Sequence, residues 1–377
     1  MKKWLTGLLI LACGFFTAAI PSKDQDVGVC GRERISEPAP CDAIAPPYTS
    51  GLGSWSDWRG ASGKRFSEII TSPKPLNVAR GIRLIVFSPH PDDETLGAGG
   101  LIQRVVQNEG TVRVVFMTNG DGYKEAIRNR VHSGSVSPRD FVEYGKLRQE
   151  ESDHALCELG LTPQDGIFLG FPDDGIDDLW SRYWSSLNPY TSPHTLADGP
   201  PYEQAFNRQV KYAGMDLEGA IVWILKEFVP DWIVIPDPRD QHPDHACTSV
   251  FVLDALRRLD QSGELSFHQS CVFTYLVHYV GYPTSQRWLR TIHKAGIGGS
   301  LASVDVLSAT PWLALTLTGE ELRRKRCALA AHQSQFEILG GFFEQYVRST
   351  EVFGRLDPTQ VFAVPQEYAA RFNRPNS

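Results

Sequence analysis

Two apolar runs in this chain each lead into a short string of histidine, proline and aspartate. Leu84–Phe87 is followed directly by Ser88-Pro-His-Pro-Asp-Asp-Glu94, and Trp232–Ile235 is followed within a few residues by His242-Pro-Asp-His245. Short apolar runs of this kind are typical of buried strands. Because ligands in an open parallel sheet bind outside the carboxyl ends of the strands, we expect the two strings to face one crevice.

Strand-like and helix-like segments alternate along most of the chain. We predict strands at 83–88, 112–117, 167–169, 231–236 and 271–280, and helices at 94–108, 139–159, 213–228, 244–260 and about 319–335. This alternation predicts an α/β fold of the Rossmann-like kind, with a mainly parallel twisted sheet flanked by helices. We expect one main domain over residues 79–360, which carries a long insertion.

The first residues have the pattern of an export signal. Lys2 and Lys3 precede a short apolar stretch that ends in small residues, which is typical of a secretory signal peptide, here residues 1–19. Export would place the protein in a bacterial periplasm or outside the cell. The string Ile10-Leu-Ala-Cys-Gly14 also resembles a lipobox, so a lipid on Cys13 is the one membrane attachment that we predict.

Proline-rich residues 20–78 form an N-terminal extension, and residues 361–377 form a C-terminal tail. Cys30 and Cys41, in the extension, could form a disulfide in an oxidising compartment. For the four later cysteines we expect buried free thiols; they are Cys157, Cys247, Cys271 and Cys327. A net charge of −7 without a Lys/Arg block argues against a nucleic-acid partner.

The insertion, at about residues 172–212, is rich in aromatic residues, proline and glycine. A loop of this length in a compact domain is usually functional or disordered, and its aromatic content argues against disorder. Its aromatic side chains could stack on sugar rings, but such residues more often pack a loop onto its domain. His194, in the same segment, could reach the site, although a solvent-exposed loop histidine is the simpler interpretation.

His90, Asp93 and His245 are the natural metal ligands of the two strings. Imidazole and carboxylate without thiolate form the ligand set of a catalytic Zn²⁺ site with an open position. Asp92 is adjacent to Asp93, so its side chain diverges and can face a bound water. His242 lies three residues before His245, and at the start of a helix the two would share a face.

Such a set of groups suits the hydrolysis of an amide or ester. The metal lowers the pKa of bound water to about 7, the spare carboxylate serves as general base, and the spare histidine stabilises the oxyanion. Either string alone is as readily a structural turn or a helix cap, but both together at strand ends favour a site. Gly97, Gly99 and Gly100 lack dinucleotide-binding spacing, so we expect them to allow close helix–sheet packing.

The two strings resemble the metal motifs of the LmbE/PIG-L family of zinc-dependent N-acetylglucosamine deacetylases. The resemblance extends from about Arg83 to Arg355. Weaker matches support it, namely Thr118-Asn-Gly-Asp121, Arg148-Gln-Glu-Glu151, Leu169-Gly-Phe-Pro-Asp173 and His332-Gln-Ser-Gln335. Two departures stand out: residues 236–241 contain no tyrosine to match one that some relatives use, and short relatives lack the insertion.

The resemblance implies one zinc ion per chain, bound by His90, Asp93 and His245. It further implies that Asp92 is the general base, that His242 polarises the acetyl carbonyl and that Asp244 orients His242. Arg148, Asp173 and Asp121 take the motif positions of sugar-binding residues. From the residues alone, an ion pair with Glu151 on the same helix is the alternative for Arg148.

We therefore predict an exported zinc hydrolase that removes an N-acetyl group from a GlcNAc-type sugar or glycoconjugate. A zinc amidase acting on another acylated small molecule or conjugate is the first alternative. A non-catalytic, zinc-containing glycan-binding envelope protein is the second. The presence of both Asp92 and His242 beside the ligands speaks against the second alternative, because a binding module needs neither.

Overall fold

The computed structural model describes residues 73–131, 135–264, 270–279, 282 and 310–356. The predicted signal peptide, the lipobox, most of the N-terminal extension, the Cys30–Cys41 disulfide and the C-terminal tail lie outside these residues. Within the described ranges, no helix is both long enough and apolar enough to cross a membrane.

The described residues contain one eight-stranded sheet and eight α-helices. The strands are β1 (Lys74–Pro75), β2 (Arg83–Ser88), β3 (Thr111–Thr118), β4 (Gly166–Phe171), β5 (Trp232–Pro236), β6 (Cys271–Tyr275), β7 (Trp312–Thr316) and β8 (Thr350–Leu356). The helices are α1 (Asp93–Gln107), α2 (Lys124–Val131), α3 (Pro138–Glu158), α4 (Ile176–Ser181), α5 (Gly214–Phe228), α6 (Pro243–Gln261), α7 (Gly319–Ala331) and α8 (Gln333–Phe343). Short 3₁₀ turns lie at Pro163–Asp165 and Glu344–Tyr346.

The strand order is β1-β7-β8-β6-β5-β2-β3-β4. Central strand β2 pairs in parallel with both β3 and β5, and β8 is the one strand of this sheet that runs antiparallel to its neighbours. The chain moves outward from β2 through β3 to β4, then returns to β5 on the other side of β2. The prediction of a mainly parallel sheet is confirmed, and the strand order reverses between β2 and β5, where such sheets bind ligands.

Both faces of the sheet are buried, which explains why its strands read as continuous apolar runs. Along β2, Leu84 and Val86 point into one core cluster, whereas Ile85 and Phe87 point into the other. Helices α1, α3 and α7 contribute to the first cluster, and α5 and α6 contribute to the second. The strands are therefore held between two helical layers, and only their ends can carry an accessible site.

Helix α1 packs unusually closely on its neighbours. A Cβ on Gly97 would lie 2.2 Å from Cδ2 of Tyr275, and one on Gly100 would lie 2.3 Å from Cδ2 of Leu317. Both distances are too short for carbon atoms in contact, so the close packing predicted for these glycines is confirmed.

An ion pair from elsewhere in the fold enters the middle of α1. The Glu351 carboxylate accepts hydrogen bonds from the backbone N–H groups of Gly100 (2.7 Å) and Leu101 (2.9 Å). Lys325 Nζ donates to that carboxylate at 2.7 Å and to the Leu96 carbonyl oxygen at 2.9 Å. Both side chains are almost fully buried. We call Lys325 and Glu351 the mid-helix pair.

The structure differs from the sequence-based elements in several places. The helix predicted to continue to residue 335 is interrupted at His332, whose backbone (φ −75°, ψ 56°) is not helical. Strand β6 ends at Tyr275 rather than near residue 280. Helices α2 and α4 and strands β1, β7 and β8 were not predicted. Helix α2 buries only Ala126 and Ile127, so its apolar pattern is weak.

The prediction of four buried free thiols is wrong for two of them. Cys157 in α3 and Cys327 in α7 are disulfide-bonded. Cys247 and Cys271 form no disulfide, as expected, although Cys271 is only partly buried. Helical periodicity indicates which face of a helix a cysteine occupies, but it does not reveal which sulfur atom lies opposite.

Candidate active site

The two predicted metal-binding strings follow the adjacent strands β2 and β5. Helix α1 begins at Asp93, within the first string. Helix α6 begins at Pro243, a residue type suited to a first helical position, with His242 as its N-cap. The Nδ1 atom of His242 accepts a hydrogen bond of 3.2 Å from the Asp244 backbone N–H. Both strings thus lie at the N-terminus of a helix, at the same end of the sheet.

His90, Asp93 and His245 form a compact triangle of possible ligand atoms. His90 Nδ1 lies 3.2 Å from Asp93 Oδ2 and 3.3 Å from His245 Nε2. His245 Nε2 lies 3.1 Å from Asp93 Oδ2. Ligands of a tetrahedral ion with bonds of about 2.0–2.1 Å lie about 3.3 Å apart. The three predicted ligands are therefore brought together at a spacing that fits one small divalent ion.

Asp240 supports this triangle from behind. Its Oδ2 atom lies 3.3 Å from His245 Nδ1 and accepts hydrogen bonds from the backbone N–H groups of Val277 and His278. Burial raises the pKa of the Asp240 carboxyl, but His245, with His278 and the His242 backbone N–H, outweighs burial and holds the pKa below its usual range. A carboxylate behind a ligand histidine fixes the orientation of its ring. Sequence reasoning assigned Asp240 no role.

Asp92 lies beside the triangle with an unusual backbone conformation. Its φ is 122°, a region that side chains other than glycine rarely adopt. The Arg148 guanidinium donates to Asp92 Oδ2 at 2.9 Å, and also to the carbonyl oxygens of Pro91 and Gly120. Burial raises the pKa of Asp92 to about 7, although Arg148 opposes that rise.

Arg148 is thus buried against Asp92 rather than paired with Glu151. The alternative of an ion pair between Arg148 and Glu151 is wrong, because Glu151 instead accepts hydrogen bonds from Ser334. The expected contact of Arg148 with a sugar stays a prediction.

Asp244 lies between the insertion and the histidines of the two strings. Its carboxylate accepts hydrogen bonds from the backbone N–H groups of Asp174 (2.8 Å) and Ile176 (3.1 Å), and Oδ2 lies 3.3 Å from His90 Nε2. The Asp244 backbone N–H donates to the His242 ring. Orientation of His242 by the Asp244 carboxylate stays a prediction.

Asp173 also lies beside His90. Its Oδ1 atom is 3.1 Å from His90 Nε2, and its Oδ2 atom accepts a hydrogen bond from the Gly122 backbone N–H at 2.6 Å. Burial raises the pKa of Asp173, but His90 outweighs burial and holds it below its usual range. Asp173 and Asp244 together fix the outer nitrogen of His90, and sugar binding by Asp173 stays a prediction.

Asp121 is tied to the insertion. Its Oδ2 atom accepts a hydrogen bond from the Tyr202 hydroxyl. Burial and the nearby Asp173 raise the pKa of Asp121 to about 7. Asp121 is only 3% exposed, and the contact with a sugar that the resemblance implies stays a prediction.

The insertion aromatics pack mainly onto the domain. Trp180 and Trp184 contact the Phe251 ring at centroid distances of 5.1 and 6.1 Å, and Trp180 and Tyr202 are almost fully buried. His194 stacks on Phe141 at 5.0 Å, with a side chain only 22% exposed. The packing interpretation is confirmed for Trp180, Trp184 and Tyr202, and the expectation of a solvent-exposed His194 is wrong.

His278 is a fourth histidine, beside the three of the two strings, and sequence reasoning assigned it no role. Its ring lies 4.9 Å from the His245 ring and 5.4 Å from the His242 ring, and it stacks on Phe342 at 5.7 Å. Burial lowers the pKa of His278 to about 4. Its one sequence signal is its position just beyond β6, the parallel neighbour of β5.

The segment of the chain that carries this site is similar to known proteins. Residues 85–256 match the family model described as PIG-L: GlcNAc-PI de-N-acetylase. A 1D-myo-inositol 2-acetamido-2-deoxy-α-D-glucopyranoside deacetylase of Mycobacterium sp. (strain KMS) is 32% identical over 178 residues, which cover 47% of this chain and 50% of that protein. A glucosamine-6-phosphate deaminase-like protein of Bacteroides thetaiotaomicron is 25% identical over 272 residues, 68% of this chain and 36% of that protein.

The chain therefore spans about half or less of the length of these two relatives. Among solved structures, an N,N'-diacetylchitobiose deacetylase from Pyrococcus horikoshii is similar with a TM-score of 0.45 and 17% identity, over 75% of this chain and 86% of that one. The matched family segment includes β2, β5 and both metal-binding strings. Residues 85–256 of the chain therefore match the PIG-L family.

Proposed function

We propose that this chain is an exported, zinc-dependent hydrolase that removes an N-acetyl group from a GlcNAc-type sugar or glycoconjugate. The observation that carries the proposal is the triangle of His90, Asp93 and His245 with the buried Asp92 carboxylate beside it. The similarity to proteins named as deacetylases of a 2-acetamido-2-deoxy-glucopyranoside supports an N-acetylated sugar as the substrate.

Two imidazoles and one carboxylate suit zinc better than calcium or magnesium, which prefer oxygen ligands. Zinc bound here would lower the pKa of a water to about 7 and polarise the acetyl carbonyl. Three protein ligands would leave the fourth position of a tetrahedral zinc ion for that water or for the substrate.

Asp92 is the proton carrier of this proposal. Burial raises the pKa of Asp92 to about 7, so near neutral pH its carboxylate can take a proton from the attacking water and later release it. The release goes to the nitrogen of the departing amine, which breaks the C–N bond and leaves acetate. Arg148, bound to Asp92 Oδ2, holds the carboxylate in place.

His242 is placed to stabilise the oxyanion as a neutral donor. Its Nδ1 atom accepts the Asp244 backbone N–H, so the ring proton resides on Nε2. Burial and the neighbouring histidines lower the pKa of His242 well below its usual range, which keeps the ring neutral. A neutral N–H donor that is already oriented stabilises a developing negative charge without rearrangement.

Export to an oxidising compartment is part of the proposal. The signal-like residues 1–19 support it, and so do the disulfide-bonded states of Cys157 and Cys327, since disulfides persist in secreted and periplasmic proteins. Signal cleavage and lipidation at Cys13 differ in mass. Mass spectrometry of the protein from a membrane fraction and a soluble fraction would decide between them.

The test of the activity is acetate release by the protein from Ile20 onward, on a panel of N-acetylated sugars and oligosaccharides. Each reaction is run with Zn²⁺, with a chelator, and with the chelator followed by excess Zn²⁺. The proposal expects acetate from GlcNAc compounds, loss with chelator and recovery with Zn²⁺. Zinc binding without acetate from any sugar would contradict the proposed substrate and favour another amide or a binding role.

A further inference from the structure

The junction between α7 and α8 places an imidazole in the core beneath the active site. His332 separates the two helices with a non-helical backbone and is 0% exposed. Its Nε2 atom lies 3.2 Å from Oε1 of Glu94, which is also 0% exposed. Because a carboxylate only accepts hydrogen bonds, His332 Nε2 is the donor. The interruption of the helix therefore serves a contact with the first turn of α1.

The carboxylate of Glu94 that contacts His332 also contacts Asp92. Its Oε2 atom accepts the Asp92 backbone N–H at 3.0 Å. The Ser88 hydroxyl lies 3.1 Å from the same Oε2 atom and 2.7 Å from the His90 carbonyl oxygen. The Oε1 atom accepts the Thr95 hydroxyl at 2.6 Å as well as His332, so one carboxylate joins His332 to the backbone of Asp92.

The Asp92 backbone needs such support. At φ 122° it occupies a region that persists only where the surrounding structure enforces it. Its N–H is held by Glu94, and its carbonyl oxygen accepts the N–H groups of Thr95 (3.0 Å) and Leu96 (2.9 Å). The direction of the Asp92 side chain therefore depends on Glu94 on one side and on the start of α1 on the other.

The same junction also bonds to the helix that carries Arg148. Ser334 donates its N–H and its hydroxyl to Glu151 of α3, at 2.8 and 2.7 Å. Arg148, one turn before Glu151, donates to Asp92 Oδ2. The α7–α8 junction thus approaches Asp92 by two routes: through Glu94 to its backbone and through α3 to its carboxylate.

We propose that His332 and Glu94 are positioning residues that hold Asp92 in its positive-φ conformation, with the carboxylate aimed at the substrate amide. This rests on the proposed function, because it takes Asp92 as the general base. It also gives a role to the string His332-Gln-Ser-Gln335, which contacts no predicted metal ligand and whose contribution the metal chemistry does not explain.

The test compares His332→Gln with His332→Asn. A glutamine carries its amide nitrogen near the position of His332 Nε2, so it can still donate to Glu94, whereas asparagine places its nitrogen near Nδ1 and cannot reach. We expect His332→Asn to lower kcat about 100-fold, as misplacement of a catalytic group by about 1 Å does, with KM and zinc content unchanged. His332→Gln should recover most of kcat. Thr95→Val, which removes one donor to Glu94, should fall between them.

The matched control is Glu351→Gln, which alters a buried carboxylate of β8 that bonds to the same helix without touching Asp92. It should lower the melting temperature but leave kcat per folded molecule unchanged. Crystal structures of the wild type and of His332→Asn give a second readout that needs no substrate. We expect φ of residue 92 to relax in the variant, with its N–H no longer bonded to Glu94.

Two results would overturn the proposal. One is a His332→Asn crystal structure in which Asp92 keeps its φ and its bond to Glu94. The other is equal loss of kcat in His332→Gln and His332→Asn together with loss of zinc, which would mean a general structural role. If the wild type releases no acetate but residue 92 relaxes in His332→Asn, the positioning stands and the proposed function fails. If His332→Asn does not fold, Thr95→Val and its crystal structure decide.

Discussion

Helix α1 carries two buried carboxylate networks that differ in where they end. In the first turn, Glu94 joins His332 to the backbone of Asp92. In the middle of the helix, Glu351 of the mid-helix pair joins Lys325 to the helix backbone itself. Both networks are buried and both use a basic side chain from α7 or its end. Burial and charge therefore do not tell a network that supports the active site from one that only stabilises the fold. The residue that the carboxylate contacts, Asp92 or the backbone of the middle of α1, makes that difference.

The difference also shows what each network can affect. The first ends at the carboxyl end of β2, where the strand order reverses and a substrate can enter. The mid-helix pair contacts the middle of α1 in the core between α1, α7 and β8, next to Gly100, where a Cβ would not fit. A change in the first should therefore alter turnover, and a change in the second should alter stability alone.

The largest expected effect is on activity, from Asp92→Asn. The amide keeps the shape of the side chain but cannot accept a proton, so kcat should fall about 10²–10⁴-fold, the usual contribution of a general base. Zinc content, measured by atomic absorption, should stay near one ion per chain because Asp92 is outside the ligand triangle. Full activity in this variant would mean that the general base is a different residue. The network of Glu94 would then have no catalytic residue at its end, and it would no longer differ from the mid-helix pair in this respect.

The next effect is on stability, from Lys325→Met. This change leaves the Glu351 carboxylate buried without its cation, which typically costs about 3–5 kcal/mol in the free energy of unfolding. The double variant Lys325→Met/Glu351→Gln should regain most of that loss, since no uncompensated charge remains. Urea unfolding measures both, and kcat per folded molecule should match the wild type. A large drop in kcat would show that the mid-helix pair also supports the site.

A smaller effect separates two of the three glycines of α1, Gly97 and Gly100. Gly97→Ala and Gly100→Ala each force a Cβ into a neighbour, Tyr275 or Leu317, at a cost of about 1–3 kcal/mol. Only Gly97→Ala should also lower activity, because the Tyr275 hydroxyl donates to the Phe87 carbonyl oxygen at the end of β2. Thermal unfolding and acetate release measured on the same samples test this, and equal activity in both variants would contradict it.

The smallest effect is the pH dependence of the contact between Glu94 and His332. Burial lowers the pKa of His332, but the neighbouring Glu94 has the larger effect and raises the pKa. Burial raises the pKa of Glu94, but the neighbouring His332 has the larger effect and lowers the pKa. The charged pair is therefore fully present between the unfolded pKa values, about 4.3 and 6.5. Its contribution fades as pH rises through the raised pKa of His332 and as pH falls through the lowered pKa of Glu94.

We expect the melting temperature of the wild type to exceed that of His332→Gln most between about pH 4.5 and 6.5. The difference should shrink by about 2 °C toward pH 9, which corresponds to about 1 kcal/mol. Calorimetry across this range tests the expectation. A difference that instead grew with pH would mean that the neutral imidazole is the stabilising form.

The parallel sheet and the position of the site were predictable because both depend on the order of strand-like runs. Apolar runs before His90 and His242 identify adjacent strand ends once the alternation with helices is recognised. The gathering of His90, Asp93 and His245 follows from that topology. These features need only local patterns and the rule for parallel sheets.

The partners of these residues were not predictable in the same way. The Asp244 carboxylate bonds to backbone amides of the insertion, whose path no periodicity specifies. Asp240 and His278 enter the site from a loop and from beyond a strand end, without ligand spacing. The break at His332 interrupts a helical pattern that continues on both sides of it. Contacts between distant segments decide each of these features.

The φ of 122° at Asp92 lowers the stability of the fold and, in the proposed mechanism, is needed for activity. A non-glycine residue held in such a region typically costs about 1–3 kcal/mol. Substitutions that relax residue 92 would return some of that free energy to the fold while turning the carboxylate away from its target. Selection or engineering for thermal stability alone should therefore act against turnover here, because the least relaxed residue of the turn is the one that the chemistry requires.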